Sequence, residues 1–393
     1  MAVAGLHFNR VHKYRAGSKT WLARQFGIVN FRHILDPRLS LSAALGSTKT
    51  VEEWTEKSIE IQHVSSEEEE AGAGLIAKKH AGKKSNKVWL EAKDAEGRTP
   101  LALAASIGHE SLVRLLLDKG ADIESRDLLG RTPLAWAVES GHVAALQVLI
   151  EHGANIEAQD LPFGRTPLSR AATIGHMAIL RILLDKGADI EAKDSLSRTP
   201  LARAVKMGNE AVVQLLMDKG ANVNARDQHG RTPLARAADR GYETIVQMLL
   251  DKGADIEARD EVGRSALARA AERGHEAVVF MLLEKGANIE ARDQMAYMTP
   301  LARAVTTMHM PVVQMLLDNG ADIEVKDTLG RTPLAWAVIT RREAVVKALV
   351  EKGADIMAVD QDGLTPLAWA SGQEAIGHIL CSEKAKEALP MLP

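Results

Sequence analysis

The sequence predicts an all-α solenoid of nine helix-turn-helix units, preceded by a poorly structured N-terminal segment. A Thr-Pro or Ser-Ala pair begins a similar stretch nine times, and successive pairs lie 33 or 34 residues apart. A period this strict decides the fold class. Aromatic residues make up only 4% of the chain, which is thin for one large core and normal for many small ones. The nine pairs begin at Thr99, Thr132, Thr166, Thr199, Thr232, Ser265, Thr299, Thr332 and Thr365.

One unit, residues 227–259, shows why each copy folds as two helices. Asp227 and a glycine three positions later suit a type I β-turn. Thr232 can cap a helix, and Pro233 suits its first turn. Apolar residues at helical spacing follow, and Gly241 can adopt the left-handed conformation that ends a helix. A second, mostly apolar segment then predicts an antiparallel helix.

The repeated sequence pattern resembles that of a known family. The pattern D-x-x-G-R-T-P-L-A-x-A-A, followed by G-H-E-A-V-V-x-x-L-L-x-K-G-A-D-I-E-A, is similar to the ankyrin repeat over about residues 91–385. The resemblance implies an ankyrin-repeat solenoid with β-turn fingers, whose concave face and finger tips bind other proteins. It implies no reaction and no cofactor. The histidine usual in the family after T-P-L is Ala or Ser in every copy, as at Ala235 and Ser169.

The repeats divide the chain into four parts. Residues 94–385 hold the nine repeats, residues 86–93 form a degenerate half-repeat or cap, and residues 386–393 form a tail. Residues 1–85 are expected to be basic and partly disordered. The first 90 residues carry 14 Lys and Arg against 9 Asp and Glu, whereas the rest carry 35 against 43.

These charges and compositions limit partners and location. The acidic bulk of the protein has no general attraction for nucleic acid. No run of eighteen apolar residues occurs, so no membrane span is expected. The single cysteine, Cys381, favours a reducing compartment, which makes the cytoplasm or nucleus the expected location. The acid-free basic start of the chain leaves mitochondrial targeting as an alternative.

One position in the first helix of each unit carries Arg or Trp without an evident need from the fold. We call these residues, with the leucine of the first unit, the groove column. On a helical wheel the position points about 200° away from the packed stripe and therefore toward the concave groove. The column reads Leu103, Trp136, Arg170, Arg203, Arg236, Arg269, Arg303, Trp336 and Trp369.

Two interpretations of the groove column stay open. The arginines and tryptophans could form a recognition surface for an acidic or extended partner segment, since both types are common at binding hot spots. Alternatively, repeat duplication copied residues that cover neighbouring alanines and pair with nearby acids. Asp239 is the expected local partner of Arg236. By the same logic Arg170, Arg203 and Arg303, which have no acid three residues on, are expected to be the free donors.

The remaining candidate sites are two irregular turns and a few weak chemical groupings. Phe163 and Tyr297 each place an aromatic on a turn with one extra residue, so both are candidate finger-tip contacts. Five histidines repeat with the unit and thus lie about 10 Å apart, too far to share one zinc ion. No metal site, cofactor or catalytic residue is expected.

The sequence therefore predicts a non-enzymatic interaction scaffold or adaptor that binds protein partners. Two alternatives remain. One is a partner or sensor subunit of an enzyme or signalling complex, and the other is an unusual enzyme that uses the groove.

Overall fold

The computed structural model describes residues 90–388 and side chains as far as residue 382. Eighteen helices lie in this range as nine pairs, and no strand occurs there, as predicted. The predictions for residues 1–89 lie outside the described residues. The pairs are α1 Pro100–Ile107 and α2 Glu110–Asp118, α3 Pro133–Ser140 and α4 Val143–Glu151, α5 Pro167–Ile174 and α6 Met177–Asp185, α7 Pro200–Met207 and α8 Glu210–Asp218, α9 Pro233–Arg240 and α10 Glu243–Asp251, α11 Ala266–Arg273 and α12 Glu276–Glu284, α13 Pro300–Thr307 and α14 Met310–Asp318, α15 Pro333–Ile339 and α16 Glu343–Glu351, and α17 Pro366–Trp369 and α18 Glu374–Ala388.

The first helix of the fifth pair begins and ends where the sequence predicts. In α9, the hydroxyl of Thr232 accepts a hydrogen bond from the backbone N–H of Ala235 at 3.2 Å, and Pro233 occupies the first turn. The helix ends at Gly241, whose φ of +70° is the left-handed conformation that glycine tolerates best. A Cβ there would also lie 2.5 Å from Nδ1 of His275 in the next unit, so the glycine allows close stacking.

The core runs along the whole array between the two helix layers. Each first helix packs against its own second helix and against the first helices of the adjacent units. Leu234, Ala237 and Ala238 of α9 are completely buried, and so is Leu249 of α10. Small alanines therefore let neighbouring first helices approach closely while leucine and valine fill the space behind them.

Backbone and carboxylate hydrogen bonds join successive turns. The N–H of Leu161 donates to the carbonyl of Leu129 in the preceding turn at 2.8 Å, and the same bond recurs between later turns. Next to it, Oε1 of Glu124 accepts from the N–H of Asn155 at 2.7 Å. These bonds hold the turn tips in one continuous row, which sets the spacing of any residues that the tips display.

The C-terminal end differs slightly from the predicted boundary. The last first-layer helix, α17, has only four residues, in keeping with the shortened turn of the ninth unit. Its partner α18 continues through Ala388, so the first three residues of the predicted tail are helical. None of the helices between residues 90 and 388 is both long enough and apolar enough to cross a membrane.

Candidate partner-binding site

The groove column lies beside an aspartate at the start of each unit, and this aspartate is buried in seven of the nine units. Asp227 begins the turn before α9, and its side chain is completely buried. Its Oδ1 accepts the backbone N–H groups of His229 at 2.8 Å and Arg231 at 3.0 Å. Its Oδ2 accepts Nε of Arg231 at 3.2 Å and Nη2 of Arg236. The aspartate thus ties the turn to the first helix through the column residue.

All five column arginines make this bond to the aspartate of their own turn. Arg203 contacts Asp194 through both Nε at 2.8 Å and Nη2 at 2.5 Å. The column arginine follows its aspartate by nine residues, or by ten where the turn has one extra residue. The pairs are Arg170 with Asp160, Arg203 with Asp194, Arg236 with Asp227, Arg269 with Asp260 and Arg303 with Asp293.

Tryptophan makes the same bond at the C-terminal end of the column. Nε1 of Trp336 donates to Oδ2 of Asp327 at 2.9 Å, and Nε1 of Trp369 donates to Asp360 at 2.8 Å. Arginine and tryptophan are the two residue types in the column from the second unit onward, and in units three to nine both reach the carboxylate with an N–H donor. This shared chemistry explains why such different side chains occupy one position.

The N-terminal end of the column lacks the bond. Leu103 has no side-chain donor, and Nε1 of Trp136 is buried without a hydrogen-bond partner. The guanidinium of Arg131 instead stacks on the Trp136 ring at 3.8 Å and donates to Asp127 at 2.7 Å. In this unit Oδ2 of Asp127 accepts its hydrogen bond from the arginine of the turn and not from the column residue.

The prediction that Arg170, Arg203 and Arg303 are free donors is wrong. Arg170 and Arg203 are only 4% and 7% exposed, and all three are ion-paired with turn aspartates. The sequence places the aspartate nine or ten positions earlier, beyond the one helical turn that the prediction considered. The turn folds back over the start of the helix and brings the carboxylate to the column.

The predicted local partners of the arginines are also wrong in detail. Asp239 lies three residues after Arg236 but pairs with the next unit, contacting Arg269 and Arg273. Likewise Glu139 contacts Arg170 of the next unit at 2.7 Å. An acid at this position therefore links adjacent units, because the first helices are stacked side by side and successive column positions are neighbours.

A family model confirms the resemblance seen in the sequence. The model described as ankyrin repeats in three copies matches the chain over residues 70–160, 157–227, 222–293 and 301–389. The chain belongs to the ankyrin repeat family. Members of this family generally act as protein-interaction modules. No curated protein matches the chain in sequence.

A solved ankyrin array is similar to part of this one. It is the ankyrin repeat domain of Bcl-3, described as a unique member of the IkappaB protein family. The two share 32% sequence identity with a TM-score of 0.51, and the alignment covers 56% of this chain and 99% of the Bcl-3 chain. The present array is therefore longer than the solved domain that it matches.

The two predicted finger-tip residues of this ankyrin array are exposed. Phe163 is 47% exposed and Tyr297 is 52% exposed. Tyr297 has a φ of +54° at the position where Gly164 lies in the other lengthened turn. Left-handed backbone at a residue other than glycine costs about 1 kcal/mol or more and is often found at functional sites.

No three His, Cys, Asp or Glu side chains within the described part of the chain are grouped so that they could hold a metal ion. Cys381 and His378 are both exposed on the last helix. The inter-helix histidines of the second, third, sixth and seventh units pack on the glycines of the preceding units, and Nε2 of His275 donates to the carbonyl oxygen of Asp239 at 3.2 Å.

Hydrogen bonds to the charged carboxylate lower the pKa of several turn aspartates. Burial alone would raise the pKa of Asp194, but backbone N–H groups in its turn and the guanidinium of Arg203 outweigh burial and hold it below 3.8. The pKa values of Asp227 and Asp260 are lowered in the same way. Each of these groups therefore stabilises the folded state in its ionised form.

Exchange of Arg236 tests whether the column is needed for its N–H donor. We expect Arg236→Trp to change the free energy of unfolding by less than about 1 kcal/mol, because Trp336 shows that an indole can reach the equivalent oxygen, Oδ2 of Asp327, in another unit. Arg236→Leu should cost about 2 kcal/mol, since it removes a charged donor from a buried carboxylate. Urea unfolding followed by circular dichroism measures both, and equal losses in the two variants would contradict the interpretation.

The lowered aspartate pKa values predict a loss of stability in acid. A carboxyl whose pKa is lower in the folded state stabilises the fold above its unfolded pKa, and this contribution is lost as the pH falls through the folded value. Asp227→Asn should therefore be less stable than the wild type at pH 7, and the difference should shrink below pH 3.8. Urea midpoints measured for both proteins from pH 7 to pH 3 test this, and a constant difference would argue against it.

Proposed function

We propose that the array is a non-enzymatic interaction module that binds an extended segment of a protein partner. The binding surface, which we call the groove face, consists of the first helices of the pairs and the turn tips beside them. The observation that carries the proposal is the exposure of large apolar side chains at two separate groups of tips. Exposed apolar patches of this kind mark protein interaction sites.

The first apolar group lies on the tips of the second and third units. Leu128 and Leu161 are 75% and 63% exposed, and Leu129 and Phe163 are 45% and 47% exposed. A backbone hydrogen bond of 2.8 Å from Leu161 to Leu129 holds the two tips side by side. The four side chains therefore lie on two adjacent tips, and we call them the first tip patch.

The second apolar group lies on the tips of the seventh and eighth units. Met295 is 74% exposed, Tyr297 is 52% exposed and Leu329 is 45% exposed. The N–H of Thr328 donates to the carbonyl of Ala296 at 3.1 Å, so these tips are also adjacent. We call these three residues the second tip patch. Aromatic and Met side chains are enriched in protein interfaces.

The separation of the two patches fits an extended partner segment. Four unit steps lie between Phe163 and Tyr297, which corresponds to roughly 40 Å at the spacing of packed helices. An extended chain covers this distance with about 12 residues. The tips between the patches are polar at Ser195, Gln228 and Glu261. A partner with two apolar anchors and a polar or acidic middle would match this order.

The groove column has two roles within this proposal. The half-buried tryptophans, Trp136, Trp336 and Trp369, are stacked with arginines of the turns and offer the partner the part of each ring that remains exposed. The five arginines act mainly by fixing the turns, and the tips derive their positions from those turns. The lone cysteine is consistent with an adaptor that works in the cytoplasm or nucleus.

Loss of the apolar anchors should abolish partner binding without unfolding the array. We expect the double variant Phe163→Ser, Tyr297→Ser to lose specific partners in affinity purification followed by mass spectrometry. Both side chains are exposed, so the change should leave the helical circular dichroism spectrum intact. Removal of a central aromatic contact typically weakens binding by about 2 kcal/mol, or roughly 30-fold.

A matched control is Phe280→Ser. Phe280 is 55% exposed on α12 in the second helix layer, away from the tips. Partners lost from the double variant and kept by Phe280→Ser would be tested as overlapping 15-residue peptides on an array. The proposal fails if the double variant and the control retain the same partners, or if the captured partners have no linear segment that binds.

A further inference from the structure

A polar pocket lies in the middle of the groove face, between the two tip patches. Its volume is about 220 Å³, and it lies at the fourth and fifth units. Five of its lining residues are cations, namely Lys206, Arg198, Arg231, Arg236 and Arg240. Only two carboxylates, those of Asp227 and Asp239, line it. The lining therefore holds more cations than carboxylates, although Arg198 is also ion-paired with Asp194 outside the pocket at 2.9 Å.

Both carboxylates of the pocket already have partners. Asp227 accepts hydrogen bonds from two backbone N–H groups and from two arginines, and its side chain is completely buried. Asp239 pairs with Arg269 and Arg273, which belong to the next unit. By contrast, Lys206 and Arg240 make no ion pair or hydrogen bond with any described residue. Their donors remain available to a ligand.

The fourth unit reverses a charge that other units use to join neighbours. Glu139 and Glu272 lie three positions after their column residues, and they contact the column arginines of the next units at 2.7 and 3.5 Å. Lys206 occupies this position before Arg236. A cation thus stands where three of the other units carry an acid, so the fourth unit cannot form this bridge to the fifth.

The charge environment of Lys206 agrees with this placement. Burial is the largest cause that lowers the pKa of Lys206. The nearby guanidinium groups lower it further, and they belong to Arg198, Arg203, Arg236 and Arg240. Like charges gathered in a partly enclosed cleft focus a positive potential and attract anions. An anionic ligand in the pocket would relieve the repulsion that the protein alone does not neutralise.

We propose that this pocket binds a phosphate monoester, carried on a side chain of the extended partner segment. The partner as the source of the phosphate rests on the proposed function, but the affinity of the pocket for the group does not. The planar guanidinium group of arginine and the ammonium group of lysine both donate charge-assisted hydrogen bonds to phosphate oxygens. A phosphate monoester carries a charge of about −2 at neutral pH, which matches the two unpaired cations, Lys206 and Arg240, better than a single carboxylate does.

Calorimetric titration of the full chain tests the pocket without any identified partner. The probes are inorganic phosphate and two short peptides that differ only in phosphoserine or glutamate at the centre. Ionic strength is held constant with sodium chloride. We expect the phosphoserine peptide to bind at least about 10-fold more tightly than the glutamate peptide, because the dianion makes more charge-assisted hydrogen bonds.

Lys206→Glu introduces the acidic residue type that three other units carry at this position, and it is the decisive variant. It should fold as well as the wild type, by circular dichroism, and should bind phosphate and phosphopeptide at least about 10-fold more weakly. Arg240→Ala should weaken binding several-fold. The matched control is Arg181→Ala, which removes an exposed arginine of α6 that makes no ion pair with any described residue.

Three results would overturn the proposal. They are the absence of saturable phosphate binding to the wild type, equal affinity for the two peptides, and unchanged binding by Lys206→Glu. None of them depends on the tip patches. Loss of partner capture in Phe163→Ser, Tyr297→Ser with normal phosphate binding would support the proposed function and this pocket together. Intact phosphate binding with no effect of the tip variants would refute the proposed function alone.

Discussion

The rest of the array depends on the hydrogen bonds that the aspartate at the start of each turn accepts, and this aspartate is buried in most units. A carboxylate removed from water needs donors to nearly all of its lone pairs, and an unmet charge in the core would be costly. In Asp227 the turn supplies two backbone N–H groups and one arginine, and the first helix supplies the fourth donor. The demand for that fourth donor accounts for the Arg or Trp in most copies. It also fixes the angle between each turn and its helix, and so the row of tips.

Residues that donate hydrogen bonds to the turn aspartates are occupied by the fold, and other residues are available for binding. The column arginines are engaged by the turns, whereas the tips that the turns hold display Phe163, Tyr297 and their apolar neighbours. The fourth unit departs from the charge pattern at Lys206, and the resulting pocket lies between the two tip patches. Irregular positions in a regular array thus mark the surface that could recognise a partner, because the repeated positions are occupied in holding the units together.

Much of the fold could be predicted from local sequence rules. Thr232, Pro233 and Gly241 act within one helix, so the capping and turn rules that identify them need no tertiary information. The partner of Arg236 could not be found by the same rules, because a helical wheel describes one helix and omits the turn that folds back over it. A signal was nevertheless present: in every unit an aspartate precedes the column by nine or ten residues, and the column residue from the second unit onward always carries a side-chain N–H. The pairing of Asp239 with the next unit depends on how the helices stack, which one unit read alone does not contain.

A double-mutant cycle on Asp227 and Arg236 tests the central claim most directly. The free energy of unfolding would be measured for the wild type, Asp227→Ala, Arg236→Leu and the double variant at pH 7. If the column residue serves the turn aspartate, the two changes should be strongly non-additive, with a coupling energy of about 2 kcal/mol, since removal of both groups leaves no unmatched buried charge. Additive losses, with a coupling energy near zero, would show that the arginine is held for another reason and would contradict the account.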